Sequence, residues 1–360
     1  MAFVKTAHDI AHEVVRNGVS PLAAAGFFAG RGRVEIGGAT DALFDLASLT
    51  KPMTAVAFAR SGLDPRAPLA EYLPELASTP SGPLPVELFF AHRAGLAAHL
   101  PLFVPLLGLT GLDGDPPGGA LGRIDTADAL RIAAGARRDD AEGDPPAEGF
   151  SPVYSDLGYI LAGAAMARAL GVADAGAAID AWVVGPLGLG AELGTARDLA
   201  ARAVDVAGRA APTEIVPWRG GAVVGQVHDE NAWALTGLGG SGHAGIFGTI
   251  GAVVEFARAV AERASGLEWL LRERPGGTLR AGFDGKSASG SSAGARMGAG
   301  AFGHLGFTGT SFWIDRGAGI AVALLTNRVH PTRENVRIRD ARPWAHDSKM
   351  KRSSAPTYVQ

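Results

Sequence analysis

The sequence contains no cysteine. That excludes disulfides, thiolate nucleophiles and cysteine-based metal sites, and it is compatible with either redox environment. Charge of neither sign dominates: 33 Lys+Arg stand against 36 Asp+Glu, a formal net charge of −3. Such a balance gives no long-range field for nucleic acid and no polybasic membrane signal. No uninterrupted apolar run reaches the length of a membrane span. Met1-Ala2-Phe3-Val4-Lys5-Thr6-Ala7-His8-Asp9 carries charges where a signal peptide has its apolar core. The expected location of this chain is therefore cytoplasmic; a removed leader would make it periplasmic or secreted. Lysine is also scarce, with Lys5, Lys51, Lys286, Lys349 and Lys351 the whole set.

The remainder is apolar and rich in turn formers. Of 360 residues, 47% are hydrophobic, 51 are Gly and 22 are Pro. This is ample for a large core, and the length suits about two domains of roughly 150 residues. Helical spacing is expected over Val4 to Val15, Val86 to Ala91, Thr126 to Ala134, Tyr154 to Ala169, Asp174 to Val184, Ile250 to Ala264 and Glu334 to about Ala341. Leu22 to Phe28 with Arg33 to Ile36, and Thr310 to Ile314 with Ile320 to Thr326, read as two β-hairpins. Leu100 to Phe150, Trp218 to Gly245 and Ser287 to Gly300 read as loop-rich. Strands at the two ends and helices between them predict an α+β architecture. A single domain over 1–345 is expected, with a sheet part at about 1–47 and 285–345, a helical part at about 48–284, and a flexible tail at 346–360.

Phe44-Asp45-Leu46-Ala47-Ser48-Leu49-Thr50-Lys51 is an apolar lead-in that delivers Ser48 to the start of a helix. Residues three apart share a helix face, so Ser48 and Lys51 can touch. Free N–H groups and the dipole at a helix start favour developing negative charge. A serine hydroxyl attacks a carbonyl only once its proton is taken. A buried lysine with a lowered pKa can do that, whereas arginine stays charged. S-x-x-K alone is unspecific, since Ser348-Lys349-Met350-Lys351 also matches, in a polar tail.

Two further stretches follow in order: Tyr154-Ser155-Asp156 and His304-Leu305-Gly306-Phe307-Thr308-Gly309. With Ser48-Leu49-Thr50-Lys51 they resemble the S-x-x-K, Y-x-N and K-T-G motifs of serine hydrolases akin to class C β-lactamases. That group includes D,D-peptidases, D-aminopeptidases and family VIII esterases. The resemblance covers Leu22 to Pro331 and includes the Gly-rich Gly242-His243-Ala244-Gly245-Ile246-Phe247. It implies a β-lactamase/transpeptidase-like fold, an antiparallel sheet from both chain ends flanked by helices. It implies Ser48 as acylated nucleophile, Lys51 as its proton partner and Tyr154 as the phenol sharing the base role, its pKa lowered by the ammonium. The backbone N–H groups of Ser48 and Phe307 would form the oxyanion hole. Asp156, His304, Gly306 and Thr308 would face substrate. No metal or cofactor is expected.

Three positions depart from the lactamase pattern. Asp156 replaces Asn, and an ionised carboxylate only accepts hydrogen bonds. His304 replaces Lys, and a neutral imidazole is a weak anchor for an anion. Leu305 replaces Thr and removes a hydroxyl. The expectation is an esterase on small acyl esters, then a D,D-peptidase, D-aminopeptidase or weak β-lactamase. The partner is a small ester, amide or peptide; a non-catalytic scaffold on the same fold is the competing class. Lys51 and Tyr154 stay open as alternative bases.

Other matches read as structural. Gly290-Ser291-Ser292-Ala293-Gly294 fits G-x-S-x-G without the strand and helix that a nucleophile elbow needs. His8 and His12 lack the remaining ligands of a zinc motif. His228, Asp229 and Glu230 are expected to cap turns, while His243 is either a cleft or a packed histidine. Phe103 to Leu107 is a core segment or, less simply, an acyl pocket wall.

Overall fold

The computed structural model describes residues 5–30, 32–109 and 123–349. Its main sheet has six strands: β1 (Ala23–Ala29), β2 (Arg33–Gly38), β3 (Asp284–Gly285), β4 (Phe302–Leu305), β5 (Ser311–Asp315) and β6 (Ile320–Thr326). They lie in the order β2-β1-β6-β5-β4-β3, with antiparallel pairing throughout. The two hairpins expected from the sequence are therefore joined by β1–β6, in a register that sets Ala23 against Thr326 and Phe28 against Ala321. Ser20 closes this seam, its hydroxyl meeting the Asn327 side chain at 2.9 Å.

Apart from the largely exposed edge strand β2, the sheet is covered on both faces, and strand alternation divides its side chains between two cores. Phe27, Trp313, Val322 and Leu324 pack with Ile10 and Val14 of the helix Ala7–Arg16 and Ile338 of the helix Ile338–Ser348. Ala24, Phe28, Phe312, Ala323 and Leu325 join the larger core with Val253 and Val254 of the helix Ile250–Glu262. That helix lies so close that a Cβ on Gly26 would sit 2.5 Å from Val254 Cγ2, so β1 needs glycine there. Thr249 caps it by accepting from the Ala252 N–H.

Three elements differ from expectation. The segment from Tyr154 becomes helical only at Asp156, because extended Ser155 is its N-cap, accepting from Gly158 N–H. The last helix is Ile338–Ser348 rather than 334–341, so residues 346–348 are ordered helix with His346 buried; residues 350–360 of the expected tail lie outside the described residues. The loop expected over 218–245 contains a helix, Glu230–Thr236, capped by Asp229. No single helix among the described residues is long and apolar enough to cross a membrane.

Candidate active site

A second, three-stranded sheet positions the serine. Phe44–Asp45 pairs with Ile246–Gly248, which also pairs with Leu193–Thr195. Beyond it the chain turns sharply through Ala47, a non-glycine residue at φ 47°, a left-handed conformation that costs an alanine energy. Asp45 holds this turn: its buried carboxylate accepts from Ala47 N–H at 2.8 Å and from His228 N–H at 2.6 Å. Burial pushes the Asp45 carboxyl up, against those donors. Ser48 then lies in a short 3-10 turn, Ala47–Leu49, feeding the helix Thr50–Ser61.

Lys51 is one turn on and fully buried. Its Nζ donates to Ser48 Oγ at 2.9 Å and to Asp156 Oδ1 at 2.7 Å, and it lies 3.5 Å from the His243 carbonyl. It also sits over the Tyr154 ring, 4.7 Å from the centroid. Burial pushes the amine down, but the Asp156 carboxylate and then Tyr154 more than offset this, so Lys51 is held above the ordinary lysine value. The expected lowering of its pKa is thus reversed, because an acceptor carboxylate stands where the resemblance would place an amide. Asp156, partly buried and facing the Lys51 ammonium, is held well below the usual carboxylate range: desolvation opposes its charge, while Lys51 and then His99 favour it. His99 approaches its other oxygen at 3.6 Å and is raised, first by that contact.

Tyr154 faces both Ser48 and Lys51, and side-chain hydrogen bonding to each acts on its phenol. Its ring is 37% exposed along the cleft, yet desolvation of the hydroxyl is the largest effect on it. Lys51 pulls the phenol down and Asp156 pushes it up, and the outcome is raised. A lowered phenol pKa, expected from the ammonium alone, is therefore not found. His92 stacks on this ring with centroids 4.6 Å apart, and His304 lies 5.9 Å away on the other contact. His92 Nδ1 accepts from Ser155 N–H at 3.0 Å. Burial, then Lys51, depresses both imidazoles: His92 well below its usual value and His304 to about 3. Both are neutral at pH 7, and His304 carries no charge to the cleft.

The far wall is the turn after β4. Gly306 passes within close reach of the serine turn: a Cβ there would meet Thr310 Oγ1 at 2.0 Å and the Leu46 carbonyl at 2.6 Å. Phe307 N–H has no acceptor among the described residues. Its side chain is turned out, half exposed, against His228 and the Arg328 guanidinium. Thr308 is not presented to the cleft. It is buried, and its hydroxyl donates to the Asp45 carbonyl at 2.7 Å, which ties the turn to the serine lead-in.

The cleft these residues enclose has a volume of about 530 Å³ and is lined by Ser48, Tyr154, Asp156, His99, Gly306 and Phe307. Arg328, Arg339 and Arg342 line it too, without a carboxylate partner among the described residues. Asp45, His92, His99 and these arginines carry no local signal in the sequence. They reach the site through tertiary packing, although Asp45 stands in the same stretch as Ser48. Of the three residues expected to cap turns, Asp229 caps a helix, while His228 and Glu230 pair with Glu214 and Arg333, and all three line the cleft. Asp229 also accepts from His243 Nε2 at 2.8 Å, so His243 is buried and packed. Val104 and Leu106 are buried, in keeping with a core segment, while Phe103 stacks on Trp218. Among the described residues no group of three or more His, Cys, Asp or Glu could hold a metal ion.

Chemically, an ammonium has no lone pair. With Lys51 charged, Ser48 Oγ accepts its hydrogen bond, and the serine proton is left to be offered to the phenol.

Comparison with known proteins places the fold. A family model described as Beta-lactamase matches residues 13–343. No curated protein matches the sequence. Among solved structures, EstCE1, a hydrolase with promiscuous acyltransferase activity, is 18% identical with a TM-score of 0.65, over 93% of this chain and 96% of its own. A class C beta lactamase from Rhodobacter sphaeroides is 17% identical at 0.65, covering 94% and 97%. A D-stereospecific amidohydrolase from Streptomyces sp. is 16% identical with a TM-score of 0.59, covering 89% of this chain and 94% of that one.

Proposed function

The chain belongs to the beta-lactamase family, and from that premise we propose that it is a serine hydrolase acting through an acyl-enzyme on small acyl esters. The observation that carries the reading is the buried Lys51 amine 2.9 Å from Ser48 Oγ, beneath the Tyr154 phenol. Ser48 attacks the ester carbonyl and its proton passes to the Lys51–Tyr154 pair. The oxyanion is met by the N–H groups of Ser48 and Phe307, paired donors suited to charge developing on one oxygen. The same pair returns a proton to the leaving alcohol, and water then hydrolyses the acyl-enzyme.

Two features favour esters over β-lactams. Asp156 is committed to Lys51 and only accepts, and His304 is neutral. Turnover of short p-nitrophenyl esters is expected to exceed that of nitrocefin; faster nitrocefin hydrolysis would overturn the order. A second reading, a peptidase or amidase on D-amino-acid substrates, is favoured by Arg339, exposed and lining the cleft without a carboxylate partner among the described residues. It predicts that a free terminal carboxylate improves turnover of a D-peptide over its amidated form.

A further inference from the structure

The Gly306–Phe307 peptide is held at its carbonyl by a buried cation. Arg342, in the helix Ile338–Ser348, is 8% exposed. Its Nη2 donates to the Gly306 carbonyl at 2.6 Å and to the Thr310 carbonyl at 2.9 Å. Among the described residues no carboxylate neutralises it and its Nε has no partner. The following peptide is held in the same way: the Phe307 carbonyl accepts from Arg328 Nε at 2.9 Å and Nη2 at 2.6 Å.

In a trans peptide the C=O and N–H lie in one plane and point in opposite directions. Anchoring Gly306 O therefore aims Phe307 N–H away from Arg342, within the cleft that Ser48, Gly306 and Phe307 line together. A charge-assisted bond is also stronger than a neutral one, and hydrogen bonds in series polarise one another. Density drawn onto Gly306 O leaves the N–H of the same peptide a better donor. Two guanidiniums without a carboxylate partner among the described residues are costly to bury, and the carbonyls of Gly306, Phe307 and Thr310 are among the acceptors that satisfy them.

We propose that Arg342 is a positioning residue for the oxyanion hole, fixing and polarising the Gly306–Phe307 peptide so that Phe307 N–H meets the charge developed during acylation of Ser48. The proposal rests on the reading of Ser48 as nucleophile. The competing account is that Arg342 only ties the last helix to the sheet.

The test compares Arg342→Met and Arg342→Lys with His346→Gln. His346 is buried on the same helix and bonds Ser311 Oγ and the Ser292 carbonyl, not the 306–307 peptide. The readouts are the rate of Ser48 labelling by a fluorophosphonate, kcat and KM on a p-nitrophenyl ester, and Tm. Arg342→Met is expected to lose about 10- to 100-fold in labelling and kcat, with KM within about threefold, somewhat less than deletion of an oxyanion donor costs. Arg342→Lys is expected to recover part of that loss, and His346→Gln to lower Tm while labelling within about twofold of wild type. Arg342→Met labelling at the wild-type rate would overturn the proposal, as would an equal loss in His346→Gln at the same Tm. Where Arg342→Met does not fold, Arg342→Gln is read by the same criteria. A wild-type protein that no acylating probe labels would overturn the nucleophile reading and this proposal together, a result distinct from labelling that is indifferent to Arg342.

Discussion

Lys51, fully buried, and the partly buried Asp156 form an ion pair, Nζ to Oδ1 at 2.7 Å, and the same Nζ donates to Ser48 Oγ at 2.9 Å. The carboxylate holds the amine protonated, and it also pushes the Tyr154 phenol up. Whichever of the two takes the serine proton, its basic form is reached only as pH rises.

Esterase activity is therefore expected to climb through the alkaline range. Asp156→Asn removes the charge that raises both groups, so the rising limb of kcat/KM should move down by about one to two pH units. A pH profile of the two proteins checks this; an unmoved limb would mean that Asp156 does not set the base.

Tyr154→Phe keeps the ring against His92 but removes the hydroxyl. Loss of a general acid–base group costs about 10²- to 10⁴-fold. That fall in kcat is expected with Tm nearly unchanged, measured by ester turnover and thermal unfolding.

Gly306→Ala would drive a methyl into Thr310 Oγ1 and the Leu46 carbonyl, at 2.0 and 2.6 Å. Overpacking of this kind costs about 1–3 kcal/mol. Because both clashing atoms brace the serine turn, acylation should fall more steeply than stability, which parallel labelling and denaturant unfolding would separate.

His304 and His346 are buried and neutral, depressed by burial to about 3 and about 4. In the unfolded chain each takes a proton near pH 6.5. The stability they contribute is present above that value and is lost as pH falls toward their folded values. Tm should decline between pH 6.5 and 4, with a shallower decline in His346→Gln; identical slopes would contradict this assignment.

The pairing of Ser48 with Lys51 was legible because it needs only helical spacing, and the two hairpins because alternation and turn residues are local. Tyr154 sits beside the serine through the long-range fold, and only the order of three motifs pointed to it. The helix start at Asp156 was written in Ser155 as a capping residue, but the apolar run that follows masked it. The pKa directions are not legible from burial and the Ser48–Lys51 spacing, because Asp156, distant in sequence, acts on Lys51 and on the phenol at once. Arg342 and Asp45 had no reading in sequence at all, since what they hold, two carbonyls and two amide groups, is backbone that only folding brings to them.

The most direct test is intact-mass spectrometry of protein quenched during turnover of a p-nitrophenyl ester, followed by mapping of the modified peptide. The account predicts one added acyl group, on Ser48, absent from Ser48→Ala. An unmodified protein that still turns the ester over, or an adduct on another residue, would contradict it.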